Sequence, residues 1–172
     1  MLTKQDLCSM ALLKLGEQPL VSLNADTASA QLSRTLYDTT IDGLLSSHPW
    51  RFATQKITII KNQSDEYIIP SNVLRILHCP GKICGNQIIS DSDTMNILGI
   101  VRMDSEYFPS YFVSLSATKL ALEFCMPLTG NQQMLRTLIS LYESEFQRAK
   151  FIDSTTDINS GVNNFSLIDA RF

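Results

Sequence analysis

The side chains able to do chemistry are few and scattered along the chain. His48 precedes a proline, and His78 sits in a β-branched run beside Cys79. His78, Cys79 and Cys84 would give three zinc ligands, yet a structural zinc site takes four with CxxC-like spacing, and neither a CxxC pair nor an HExxH pattern occurs. Glu17, Glu66, Glu106 and Glu123 carry the carboxylates that glycosidases use in pairs, but that chemistry needs a fixed separation, which chain spacing does not supply. The phosphate-cradling GxGxxG and GxxxxGKS/T loops and the GxSxG nucleophile elbow are absent from the sequence. The expectation is a protein that is not an enzyme, with no catalytic residue, no cofactor and no metal. Cys8 and Cys125, each inside a helical apolar pattern, are expected in the core.

The most distinctive segment is His48-Pro49-Trp50-Arg51-Phe52-Ala53. A long helical pattern ends there, because the residue before a proline resists the helical conformation. Trp50 and Phe52 can then bury a large apolar area and fix the angle at which the following strands leave the helices. Arg51 is expected to point elsewhere or to cap nearby carbonyls.

The elements that must position this junction follow from periodicity. Thr3 and Asp6 mark a helix start, and apolar residues at helical spacing continue to Gly16. Residues 17–25 read as a loop. Asp26 or Thr27 caps a second helix from Ala28, with Arg34 and Asp38 one turn apart and able to pair. Between Ala53 and Glu106 short β-branched runs separated by turn residues predict one small antiparallel sheet, with Gly85-Asn86 as a tight hairpin turn. Phe108-Pro109 opens a third, most buried helix that Met126-Pro127 should end. Met134, Leu135, Leu138, Ile139, Tyr142, Phe146 and Ala149 mark the inner face of a fourth. From Asp153 the chain loses its period, is rich in Ser, Asn, Asp and Thr, and ends on spaced hydrophobes, the pattern of a segment that orders on a partner. The fold class is therefore α+β: an antiparallel α-helical bundle of about four helices with an inserted small antiparallel β module and an extended C-terminal arm. The bundle takes residues 1–52 and 107–152, the β module 53–106 and the arm 153–172.

Composition narrows the partners. The chain has 172 residues, a formal charge of −3 and 18% charged residues, against roughly 25% in an ordinary chain. That leaves more neutral or apolar surface for protein neighbours and disfavours a basic face that grips nucleic acid. No apolar run is long enough to span a bilayer, and charge interrupts the leucines of the first residues, so the expectation is a soluble, unsecreted chain without membrane contact. Four cysteines in such a chain are expected as reduced thiols.

Four ordered segments carry a family resemblance: ALLKLGE at 11–17, the helix from Ala28 through Tyr37 into LLSSHPWRFA at 44–53, IIPSNVLRI at 68–76, and FPSYFVSLSATKLALEF at 108–124. Over about residues 5–150 the chain resembles the tail tubular protein A family, the head-to-tail connector (adaptor) proteins of short-tailed bacteriophages. HPWRFA is the most specific part. The usual proline strand of the family reads closer to LPxDxLR, whereas Asn72 stands here for the acid.

The resemblance implies a structural virion protein at the head-to-tail junction, present in the host cytoplasm during assembly. It would form a homo-oligomeric ring of twelve between the portal protein and a tail nozzle protein of the tail tubular protein B kind. Viral DNA would pass through the lumen without sequence-specific binding. In related adaptors the C-terminal segment reaches the portal, so Phe165, Leu167, Ile168, Arg171 and Phe172 are the candidate docking arm, and His48, Pro49, Trp50 and Phe52 the family motif at the junction. By the same analogy the loops around Gly85-Asn86 and Asp91 to Asp93 would face the nozzle. Two other readings stand beside it: a virion-associated cell-wall hydrolase, with Glu106 or Glu123 as the acid, and a generic cytoplasmic protein-binding module.

Overall fold

Each helix begins and ends where local chemistry requires. A computed structural model describes residues 1–62, 66–90 and 94–155. Helix α1 (Lys4–Lys14) starts with a capping box, in which the Thr3 hydroxyl accepts the Asp6 N–H at 3.2 Å and the Asp6 carboxylate accepts the Thr3 N–H at 2.9 Å. Helix α2 (Ala28–Ser47) is capped by the Thr27 hydroxyl on the Ala30 N–H, and it stops because His48 is extended ahead of Pro49. Helix α3 (Ser110–Thr129) follows Pro109, and helix α4 (Gln132–Thr155) follows Asn131, whose side chain accepts the Met134 N–H.

Four details of the helices differ from the sequence reading. Helix α3 does not end at Met126-Pro127 but runs through Pro127 to Thr129. In the last turn a proline forgoes a single bond, and the Gly130 N–H still reaches the Met126 carbonyl at 3.1 Å. Gly130, in the left-handed region at φ 60, makes the actual stop. Arg34 and Asp38 do not pair: Arg34 donates to the Leu23 and Ala25 carbonyls of the preceding loop, and Asp38 takes Lys4 Nζ of α1 at 2.7 Å. Ile139, expected on the inner face of α4, is 40% exposed. Helix α4 packs chiefly on α3, so its buried stripe is narrow, with Leu138, Ala149 and Asp153 as its fully buried residues. Asp153, read as the first residue of the arm, belongs to α4.

The strands form two three-stranded antiparallel sheets instead of one. The first has the order β1 (Thr54–Ile60), β6 (Thr94–Val101), β3 (Val73–His78), and the second β2 (Tyr67–Ile68), β5 (Gln87–Ile89), β4 (Lys82–Cys84). The Gly85-Asn86 turn is as expected: Cys84 faces Gln87 across a two-residue loop with Gly85 at φ 59. The fold is thus mixed helix and sheet, four helices with two small antiparallel sheets between α2 and α3 in chain order.

Two cores result. The larger is built around α3, which contacts α1, α2 and α4 and buries Phe112, Leu115, Leu120, Ala121, Phe124 and Cys125. Cys8 lies in the same core. The smaller joins Ile59, Tyr67, Ile88, Met95 and Ile97 between the two sheets. Strand β6 belongs to both, with Met95 and Ile97 in the smaller core and Ile100 in the larger.

Gly81, at the entry to β4, has no room for a side chain: a Cβ there would lie 2.7 Å from Ile88 Cγ2 and 2.7 Å from the Ile89 carbonyl oxygen. Because one of those atoms is backbone, Gly81→Ala is expected to lower stability by about 1–3 kcal/mol, read as a lower urea midpoint at unchanged slope.

Candidate functional site at the helix-to-sheet junction

The end of α2 at Pro49 leaves the last carbonyls of the helix without intrahelical partners. Trp50 takes one of them, its indole Nε1 donating to the Leu44 carbonyl at 3.0 Å. With its polar atom satisfied the ring is fully buried, 5.2 Å from Phe112, 5.9 Å from Phe146 and 6.4 Å from Tyr111 between centroids, with His48 4.8 Å away edge-on. Phe52 is half-buried and stacks edge-on against Phe108 and Phe112. His48 is half-buried and Pro49 exposed. Trp50 is buried fully and Phe52 in part, as their size led one to expect, packed against aromatic rings of α3 and, for Trp50, α4.

Arg51 opens a single 3₁₀ turn, Arg51–Ala53, that hands the chain to β1. Its backbone N–H is taken by the carboxylate of Asp153, 102 residues on, with both oxygens at 3.2 Å. Tyr111 donates its hydroxyl to the same carboxylate at 2.6 Å, and Asp153 is 2% exposed. One buried carboxylate thus ties the last turns of α4 to the first turn of α3 and to the start of the strands. Burial, and then the Asp153 hydrogen bond, raise the Tyr111 phenol well above its ordinary range. Burial lowers the His48 imidazole, partly offset by the charge of Asp153.

Two arginines complete the joint from the sheet side. Arg75 of β3 donates to the Ser46 carbonyl of α2 at 3.0 Å. Arg102, just past β6, forms a two-pronged pair with Asp42 of α2, with Nε 2.8 Å from Oδ1. The Arg102 N–H also donates to the Asn72 carbonyl at 2.7 Å, so Asn72 serves the strand through its backbone. None of Asp42, Arg75, Arg102, Tyr111 or Asp153 was singled out from the sequence. A signal existed for Asp153: an acid in the last turn of a helix opposes the helix dipole and needs another reason to be there.

The residues first considered for chemistry do not converge. His78 ends β3 exposed, Cys79 Sγ lies 3.8 Å from Met95 Sδ, and Cys84 is exposed at the hairpin. Among the described residues no group of three His, Cys, Asp or Glu is placed to hold a metal. Glu123 pairs with Lys119 on α3, Glu106 lies in a 3₁₀ turn at Ser105–Tyr107, and Glu66 bonds Asn62, each in a separate local setting. No helix among the described residues is long and apolar enough to cross a membrane. Phe165, Leu167, Ile168, Arg171 and Phe172, and Asp91 to Asp93, lie outside the described residues.

Trp50→Ala is expected to destabilise the protein by about 3–5 kcal/mol, measured by chemical denaturation. The alkaline limb of stability tests the Tyr111 contact. A phenol raised on folding contributes stability that is complete below its ordinary value of 10.0 and is lost as the pH climbs above it. Tyr111→Phe should therefore be less stable than the parent at neutral pH and lose stability less steeply above pH 10.0.

Compared with known proteins, the chain matches no family model and no curated sequence.

Proposed function

We propose that this chain is a structural adaptor of a short-tailed bacteriophage, assembling as a ring between the portal and the tail nozzle. The observation that carries the reading is the HPWRFA element, the most specific part of the resemblance, whose tryptophan is the buried joint between helices and strands. A residue pattern shared for packing at an articulation fits a part whose work is to hold two structural bodies at a fixed angle. In this reading the four helices act as an antiparallel bundle and the two sheets as its inserted β module.

The surface supports neighbours of protein chemistry. Ile60, Ile68, Ile83 and Ile89, all on the strands, are between 44% and 73% exposed. Apolar side chains grouped on one small module suit a subunit flanked by copies of itself. Identical subunits meeting head to tail close into a ring only when the rotation per contact divides the circle, and the portal would template that rotation for twelve copies. A formal charge of −3 suits a lumen through which DNA slides, since lysines along the bore would act as a brake. The segment carrying Phe165, Leu167, Ile168, Arg171 and Phe172 is the arm that would reach the portal.

Light scattering of the chain alone, mixed with the portal, and as a version ending at Thr155 tests this. The full chain is expected to join the portal as a ring and the shortened chain to stay free. If both forms join, the arm assignment falls; if neither associates, the adaptor reading is overturned.

A further inference from the structure

Helix α4 carries on one side a run of four residues that is its own complement. Leu141, Glu145, Arg148 and Ile152 are spaced by four, three and four, which sets them along a single stripe, roughly 5–6 Å from one to the next. In either direction the stripe is apolar, charged, charged, apolar, and reversing it exchanges the acid for the base. Leu141 is 39% exposed, Arg148 is exposed, and Glu145 and Ile152 are half-buried.

Within one chain the two charges are left unmatched. Between α4 and the start of α3 lies a cleft of about 290 Å³, lined by Ser110, Ser114, Glu145 and Arg148 together with Tyr111 and Ile152. Glu145 is engaged on one side only: its Oε1 accepts the Ser114 hydroxyl at 3.0 Å and lies 3.8 Å from Lys14 Nζ. Its Oε2 is shielded from water and meets no donor among the described residues. Arg148, one turn on in the same lining, does not reach that oxygen, and its guanidinium finds no acceptor among the described residues. A carboxylate oxygen without a donor, close to a guanidinium without an acceptor, is a cost that a second molecule of matching charge would remove.

We propose that the chain pairs with a second copy of itself through this stripe, α4 lying antiparallel on α4 across a two-fold axis between Phe146 and Gln147. Under that axis Glu145 of each copy meets Arg148 of the other, and Leu141 of each meets Ile152 of the other, so four contacts follow from one rotation. The cleft is the recess that takes the incoming guanidinium beside Glu145. The occupant is a second copy because the charge order of the stripe matches its own reverse, and an unrelated surface would have to supply the same order by coincidence. The inference stands apart from the adaptor reading. A two-fold contact uses one face twice and closes at two copies, whereas a ring of twelve needs two different faces.

Sedimentation equilibrium of the full chain, with no portal present, tests the proposal. The mass is expected to rise with concentration from 19.3 kDa toward twice that value. Arg148→Glu, a change at an exposed position, and Glu145→Arg should each weaken the association about tenfold or more. Mixed in equal amounts the two variants should regain it, because each acid then faces a base across the axis, which a merely structural role of either residue would not give. Both are expected to keep the Trp50 emission of the parent. Should Glu145→Arg lose that emission, a second comparison decides: Leu141→Asp is expected to weaken the association, and Gln147→Asp, exposed but off the stripe, to leave it unchanged. A chain that stays monomeric up to about 1 mM overturns the pairing, as does a mass beyond two copies. Unaltered association of Arg148→Glu, or a mixture of folded variants that stays monomeric, overturns it equally. None of these outcomes involves the portal, so failure here and failure of the adaptor reading are separately visible.

Discussion

The bond from the Trp50 indole to the Leu44 carbonyl is where the helices and the strands become one structure. It exists because α2 ends ahead of Pro49, in a last turn whose carbonyls lack onward backbone donors; Leu44 accepts the Ser47 hydroxyl at 2.7 Å and the Trp50 indole. The same proline turns the chain so that the next side chain faces the gap between α3 and α4, where Phe112, Tyr111 and Phe146 close around it. A tryptophan fully removed from water would otherwise carry an unpaired N–H into an apolar core, a loss comparable to much of its gain from burial. Helix stop, carbonyl acceptor and buried ring are thus a single device written between Leu44 and Trp50.

Around that device the polar contacts divide the labour by distance. Asp153 fixes the far end of α4 to the start of the first strand, and the pairs Asp42 with Arg102 and Ser46 with Arg75 fix the exposed flank of α2 to the sheet. The exposed ion pair contributes little on its own in water. Asp153 matters more because it is buried and its partners are a backbone N–H and a phenol, neither of which can follow it if it is removed.

What could be read from the sequence was local. Capping by Thr3 and Thr27, the stop before Pro49 and the hairpin at Gly85-Asn86 each depend on neighbouring residues, and each appears as expected. The position of Pro127 misled because a proline in a final turn forgoes little, a matter of register within the helix. The division of the strands into two sheets was hidden because β6 pairs with β1 and β3 while β5 pairs with β2 and β4, and period-two patterning does not say which strand a run will choose. The Asp153 tie spans 102 residues of sequence and leaves no spacing to find. The proline stop and the aromatics beside it placed Trp50 at the junction without revealing its partners.

The pairing of β1 with β6 aligns Thr54 with Ile100. Neither strand can form that ladder until the whole length between them has been gathered in. The same gathering brings α3 back against α1 and α2. Helical turns form on their own in well under a microsecond and α3 can meet α4 across its short connection, but α3 meets α1 and α2 only when the long loop closes. Folding of this chain is thus expected to be paced by contacts between residues far apart in sequence, the β1–β6 ladder and the packing of α3 on α1 and α2, more than by the formation of its helices.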